Sequence, residues 1–289
     1  MAFRTWLFAP ANHPRRAEKA LASEADVVVL DLEDACPEAE KPAARAAVRD
    51  WLSKPRKGLA YVRVNAASTG LLEVDLEAAV GEGLDGVMLP KADNAADVVE
   101  AERIIGLLER RHGLPEGRID LVPLVESAVG LAHAGQIGSA SRRVRRLAFG
   151  SVDFALDLGL HPGPDEAELT PYRAQLVLAS RVEALELPID GAWLAVDDEE
   201  GMTRSAQRCR AMGFGGKLCI HPRQLAPVVA VFTPSRTEIE RARRIVEAFA
   251  TAEANGSAAI QVDGDLVDYP VARRAERLLA SVGEGSRAP

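Results

Sequence analysis

The stretches IDLVPLVE (119–126) and LAFGSVD (147–153) decide how this chain reads. Each begins as a short apolar run of strand character, Ile119–Val125 and Leu147–Gly150, and each then meets an acid, Glu126 and Asp153. Neighbouring parallel strands lie about 4.8 Å apart. Carboxylates just beyond their C-terminal ends can therefore share one small, hard cation. Magnesium suits such a pair, with manganese as the alternative, because both take oxygen ligands and leave positions open. A metal held in that way can carry a keto or hydroxy acid and steady an enolate. From spacing alone, a pair of solvated loop acids is an equal reading.

Runs of the same kind recur on both sides, at Thr5–Ala9, Asp26–Leu32, Ala60–Asn65, Gly86–Pro90, Ile189–Val196 and Lys217–Ile220. Between most of them lie stretches of helical period, including Pro14–Ala22, Lys41–Leu52, Ala95–His112, Pro171–Ala184 and Gly201–Met212. Eight strands with helices between them predict an α/β fold, the (β/α)8 TIM barrel. An open dinucleotide-binding sheet would need a glycine-rich first turn, and Phe8-Ala9-Pro10-Ala11-Asn12 is not one. The Gly213–Lys217 run lacks phosphate-loop spacing and precedes a strand, so it reads as a helix stop and turn. After His221-Pro222 the pattern changes. A connector leads to a charged helix at about Thr237–Ala254. Two short runs, Ala258–Val262 and Asp265–Tyr269, then flank Asp263-Gly264, a strong hairpin signal. A last helix follows over Val271–Val282. Residues 1–234 are thus expected to form the barrel, and 235–289 a helix-hairpin-helix lid or oligomerisation arm with a frayed end.

Composition narrows the function. At 289 residues the chain suits one α/β barrel, and 47% apolar residues allow a large core. A net charge of −8 and only 4% aromatics argue against nucleic-acid and anionic-membrane partners. Cys36, Cys209 and Cys219 are scattered, with no CxxC, so neither a zinc site nor a disulfide framework is expected. A reducing, cytoplasmic setting fits. The opening MAFRTWLFAP is too short for a signal peptide, and no run approaches the ~20 apolar residues of a membrane helix.

In a barrel the C-terminal strand ends make the active face. Asp31-Leu32-Glu33-Asp34 follows strand two, Arg63 and Asn65 end strand three, and Pro90-Lys91 ends strand four. Glu126 and Asp153 come next, then Asp197 and Asp198, and last His221. Strand alternation puts Val122 and Leu124 on the face of Glu126, and Tyr61 and Asn65 on that of Arg63. A buried arginine needs partners, and Glu33 and Asp34 are the expected counter-ions. Arg63 is then either simply neutralised or left with free donors for a substrate carboxylate or thioester oxygen. Lys91 could form a Schiff base, but nearby acids would hold its pKa up. His221 could serve as a base or simply close strand eight. The run Arg142, Arg143, Arg145 and Arg146 reads as a solvated helix-to-strand turn. Arg15, Arg16 and Lys19 in the first helix suit either an exposed face or phosphates at a helix N-terminus.

Eight segments, in order, resemble the citrate lyase β-subunit-like acyl-CoA lyases of the HpcH/HpaI aldolase group. They are LFAPANHP (7–14), VVVLDLEDA (27–35), VRVN (62–65), GVMLPKA (86–92), PLVESAVGL (123–131), LAFGSVDFALDLG (147–159), GKLCIHPRQ (216–224) and GDLVDYPVARRA (264–275). The resemblance spans nearly the whole chain. It implies a TIM barrel with a C-terminal lid, assembled as a trimer or hexamer. It implies a magnesium-dependent lyase that splits a 3-hydroxyacyl-CoA, of citramalyl-CoA or malyl-CoA type, into acetyl-CoA and a keto acid. By position it assigns the metal to Glu126 and Asp153, with Glu126 also binding substrate. It assigns the substrate arginine to Arg63, with Glu33 and Asp34 beside it, and coenzyme A contacts to Arg15 and Lys19. Asp268 would act from the lid in a neighbouring subunit. One departure concerns the lid, where Lys-Met often precedes the Ile/Val-Asp of these lyases and this chain has Asp265-Leu266. A citrate lyase β-subunit, a CoA-free aldolase and a non-catalytic CoA-binding subunit remain the alternatives.

Overall fold

The eight apolar runs pair in chain order as parallel strands, and the last returns to the first through Thr5 opposite Lys217. The strands are β1 (Thr5–Pro10), β2 (Val27–Asp31), β3 (Leu59–Arg63), β4 (Gly86–Leu89), β5 (Asp120–Val125), β6 (Ala148–Phe149), β7 (Ile189–Asp190) and β8 (Gly216–Cys219). Around them run α1 (Pro14–Leu21), α2 (Lys41–Ser53), α3 (Leu72–Ala79), α4 (Ala95–Arg111), α5 (Ala128–Ala132), α6 (Ala134–Ser139), α7 (Ser151–Leu158), α8 (Thr170–Val182), α9 (Glu199–Met212) and α10 (Leu225–Phe232). This closed barrel is the (β/α)8 TIM fold, seen in a computed structural model that describes residues 3–283.

Alternation along each strand separates two apolar layers. Trp6, Val29, Tyr61, Met88, Val122 and Leu218 fill the barrel's interior. Leu7, Val28, Val62, Leu121 and Cys219, one residue along, pack outward with the helices. Gly86 makes room for the Tyr61 ring, since a Cβ there would stand 2.1 Å from Tyr61 Cε1.

Three readings of the sequence need correction. The seventh strand was expected to reach Val196, yet only Ile189 and Asp190 pair with β8. Gly191 then passes so close to Ser151 that a Cβ would meet its Oγ at 2.1 Å. The chain leaves the ladder, and Trp193 O accepts a bond from Gln224 Nε2 at 2.7 Å. The arginine run is also more than a solvated turn. Arg143 and Arg146 are buried, and Arg142 and Arg145 are exposed. Arg143 makes a two-pronged contact with Glu109 at 2.8 and 2.5 Å. Arg146 Nη1 donates to Asp120 Oδ2 at 2.6 Å, and Tyr61 donates to the same oxygen at 2.7 Å. Planar guanidinium forks make such burial tolerable. The segment after Pro222, expected as a connector, forms α10 because Leu225, Val228 and Val231 bury one side.

On the outer face of β7 and β8, Asp190 is fully buried between Lys217 Nζ and Arg173, whose Nε donates to it at 2.7 Å. Burial alone would raise its pKa, but Lys217 and Arg173 hold the carboxylate well below the usual range. Removing one member of a buried ion set strands the others. Asp190→Ala should cost about 3–5 kcal/mol of stability in urea titrations. An unchanged midpoint would show that this cluster does not anchor the barrel.

From Thr233 on, the chain forms a second compact unit of its own. It contains α11 (Arg236–Ala254), β9 (Ala259–Val262), β10 (Asp265–Asp268) and α12 (Tyr269–Ser281). β9 and β10 are antiparallel. Asp263 and Gly264 both take positive φ, 51° and 88°, as a two-residue hairpin turn of the primed type requires. Ile245 and Phe249 of α11, Val267, and Ala275 and Leu279 of α12 form its core. Ser235 and Glu238 cap α11 reciprocally. The frayed end read at the C-terminus falls beyond Gly283, outside the described residues. No helix among the described residues is long and apolar enough to cross a membrane.

Candidate active site

Glu126 directly follows β5 and is almost wholly buried, on the same face as Val122 and Leu124. Its Oε1 accepts the Lys91 backbone N–H at 2.7 Å. Its side chain lies over Gly150, where a Cβ would come within 2.3 Å of Oε2. Only glycine leaves this acid its place. Asp153 sits in the first turn of α7, where the helix dipole favours negative charge. Glu126 and Asp153 both wall a cavity of about 630 Å3, which Asp31 and Arg63 also line. Among the described residues no hydrogen bond or ion pair neutralises the Asp153 carboxylate. Burial, together with the charges of Glu33 and Asp153, pushes the Glu126 pKa up to about 8. The Lys91 N–H and Arg63 oppose the shift without cancelling it. A buried acid raised in part by a second carboxylate of the same cavity calls for a cation beside it. No group of three or more Asp, Glu, His or Cys side chains among the described residues has the arrangement of a metal cage. The donor set is therefore a carboxylate pair with positions left for water and substrate oxygens, which fits magnesium.

Arg63 answers this pair with a fixed positive charge. Asp31 and Arg63 are register partners on β2 and β3. Arg63 Nε donates to Asp31 Oδ1 at 2.7 Å and Nη2 to Oδ2 at 2.6 Å. Nη1 stands 2.9 Å from Glu33 Oε2, an ion pair off hydrogen-bond alignment, and 4.0 Å from the exposed Asp34. Burial would lower the Arg63 pKa, but Asp31 and Glu33 outweigh it, so the guanidinium stays charged. The expected counter-ions were Glu33 and Asp34, whereas the structure gives Asp31 the principal place. The signal was present in the sequence, because Asp31 and Arg63 each lie two residues beyond an inward residue, Val29 and Tyr61. Asn65, expected beside Arg63, turns away and donates to Asp75 Oδ2 at 2.6 Å and Leu32 O at 3.1 Å. The ladder has ended by then, and alternation no longer governs it. Lys91 donates from Nζ to Glu33 Oε1 and lies 3.5 Å from Asp34. Burial would lower its pKa, but the bond to Glu33 raises it. That keeps Lys91 an ammonium ion, unsuited to a Schiff base.

The remaining rim residues divide. Lys19 and Arg16 of α1 wall the cavity, whereas Arg15 is exposed and is not among its walls. His221 lines the cavity and also closes strand eight, its Nδ1 accepting the Arg223 N–H at 3.2 Å. Asp198 caps α9 and Asp197 pairs with Arg223 at 2.7 Å, so both are structural. Asp268 belongs to the C-terminal unit, where its Oδ1 accepts the Val271 N–H at 3.3 Å at the start of α12.

A closed parallel barrel with paired acids and a clamped arginine at its cavity is the architecture of a barrel enzyme. Comparison with known proteins makes the assignment narrower. The chain belongs to the HpcH/HpaI aldolase/citrate lyase family, which matches residues 4–222. It is 35% identical over 278 residues to the citrate lyase subunit beta of Leuconostoc mesenteroides subsp. cremoris, covering 96% of this chain and 92% of that protein. It is 35% identical over 295 residues to the L-malyl-CoA/beta-methylmalyl-CoA lyase of Cereibacter sphaeroides, covering 94% and 92%. Among solved structures it resembles protein CitE of Mycobacterium tuberculosis in complex with magnesium, acetoacetate and coenzyme A. That match has a TM-score of 0.81 and 36% identity, and covers 98% of this chain and 99% of the other.

Proposed function

We propose that this chain is a magnesium-dependent carbon–carbon lyase that cleaves a 3-hydroxyacyl-CoA of citramalyl-CoA or malyl-CoA type into acetyl-CoA and pyruvate or glyoxylate. One observation carries the reading. Glu126 and Asp153 line one cavity, no cation among the described residues pairs with Asp153, and a charged Arg63 lines the same cavity. The CitE structure, bound to magnesium, acetoacetate and coenzyme A, supports it, as does the malyl-CoA lyase relative.

Glu126 and Asp153 would hold the ion, which when bound supplies Lewis acidity to the hydroxyl and carboxylate oxygens of the substrate. Arg63 is clamped along one edge by Asp31, so its remaining N–H groups can stabilise thioester oxygen charge as the acetyl-CoA enolate departs. Glu33 holds its other side. Lys19 and Arg16 present positive charge to the coenzyme A phosphates. Asp268, acting from the C-terminal unit of a neighbouring subunit in a trimer or hexamer, would exchange a proton with the thioester carbon. A citrate lyase β-subunit acting on a citryl thioester is the second reading, since that relative is equally similar at 35%.

The test is a panel of citramalyl-, malyl- and citryl-CoA, with a citryl carrier thioester alongside, assayed for keto-acid release with and without magnesium. Release from citramalyl- or malyl-CoA only with magnesium is expected, and Asp268→Asn should slow proton exchange at the thioester methyl more than it weakens binding. Cleavage confined to the citryl thioesters would shift the assignment to the second reading. No release from any thioester would overturn both.

A further inference from the structure

Lys91 is the one site residue whose backbone is strained. Its φ is 47°, a left-handed conformation that costs a residue with a Cβ roughly 1–2 kcal/mol and favours glycine or asparagine. Both ends of the residue are engaged. The backbone N–H donates to Glu126 Oε1 at 2.7 Å. The ammonium donates to Glu33 Oε1 and lies 3.5 Å from Asp34. Glu33 in turn stands 2.9 Å from Arg63 Nη1. One residue thus touches the buried acid of the cavity on one side and the arginine clamp on the other. Strain at a site residue persists where surrounding bonds over-determine it.

We propose that Lys91 is a positioning residue that aims both halves of the site: its backbone N–H sets the Glu126 carboxylate, and its ammonium sets Glu33 against Arg63. The inference rests on the roles given above to Glu126 and Arg63. Lys91 touches no reacting atom. It works by orienting groups that do, as outer-shell partners commonly do around metal ligands.

Two substitutions separate the halves. Lys91→Met keeps the N–H and deletes the ammonium, whereas the α-hydroxy analogue of lysine at this position turns the amide into an ester, deleting the N–H and keeping the ammonium. Lys91→Met should lower kcat about 10- to 100-fold, with Mn²⁺ affinity, read by electron paramagnetic resonance on the metal alone, close to wild type. Lys91→Arg should recover much of the loss. The ester should weaken Mn²⁺ binding where Lys91→Met does not, because Glu126 loses its fixed donor. A wild-type kcat in Lys91→Met overturns the side-chain half. Wild-type Mn²⁺ affinity in the ester, with Glu126→Gln binding poorly, overturns the backbone half. If Glu126→Gln itself binds Mn²⁺ as the wild type does, the reading of the metal site has failed, and the proposal that depends on it is withdrawn.

Discussion

Glu126→Gln removes magnesium-dependent turnover by about three orders of magnitude, and Asp153→Asn does the same. Lewis-acid stabilisation is worth several kcal/mol, and each 1.36 kcal/mol is a tenfold change in rate. The amide keeps an oxygen to accept the Lys91 N–H, so the fold should survive. The pH behaviour of the metal-free chain gives an independent check. The Glu126 pKa rises from an ordinary 4.5 to about 8 in the folded chain, through burial and the charges of Glu33 and Asp153. Between those values the folded state holds a proton that the unfolded state has lost. Stability in chelator should therefore fall as pH rises across that window, by at most about 1.4 kcal/mol per unit from this group. Glu126→Gln should flatten that slope, and magnesium should stabilise the wild type more at pH 8 than at pH 5 (about the two ends of the window). Undiminished rates in chelator, or in the Gln variant, would remove the metal role.

Arg63→Lys should lower kcat about 10²- to 10³-fold, the value of a single oxyanion donor. Lysine keeps the charge beside Asp31 and Glu33 but loses the planar fork that lets one group meet both carboxylates and still present donors to the cavity. Arg63→Ala is the harsher test. It strands Asp31, which is only 1% exposed, so a stability loss of about 3–5 kcal/mol accompanies the kinetic one. Measuring kcat with Arg63→Lys, and unfolding with both variants, separates the two effects. A near-wild-type rate in Arg63→Lys would take this arginine out of the chemistry.

The barrel was legible because parallel strands buried on both faces leave unmistakable apolar runs, of which Val27-Val28-Val29-Leu30 is the clearest. Strand lengths were less so. Nothing in Ile189–Val196 announces that the ladder stops at Asp190, because the stop depends on the close passage of Gly191 by Ser151 of α7 and on a bond from Gln224 to Trp193 O. The two acids of the cavity were legible as strand-end residues. Asp31 was passed over although it was in plain view, since local spacing favoured Glu33 and Asp34, and only cross-strand register selects between them. The left-handed turn at Lys91 leaves no trace in composition, because lysine gives no hint of positive φ. The buried forks of Arg143 and Arg146 were hidden for a similar reason, their acidic partners lying 34 and 26 residues earlier in the chain.

All three thiols, Cys36, Cys209 and Cys219, are buried. Burial pushes Cys209 and Cys219 up to about 12 and raises Cys36 as well. With no accessible thiolate near neutrality, maleimide probes should leave the native protein untouched. A single cysteine introduced at exposed Leu156 and another at exposed Leu266 would then accept fluorophores or nitroxides against a silent background. Spectroscopic distances in solution become measurable without first engineering a cysteine-free chain.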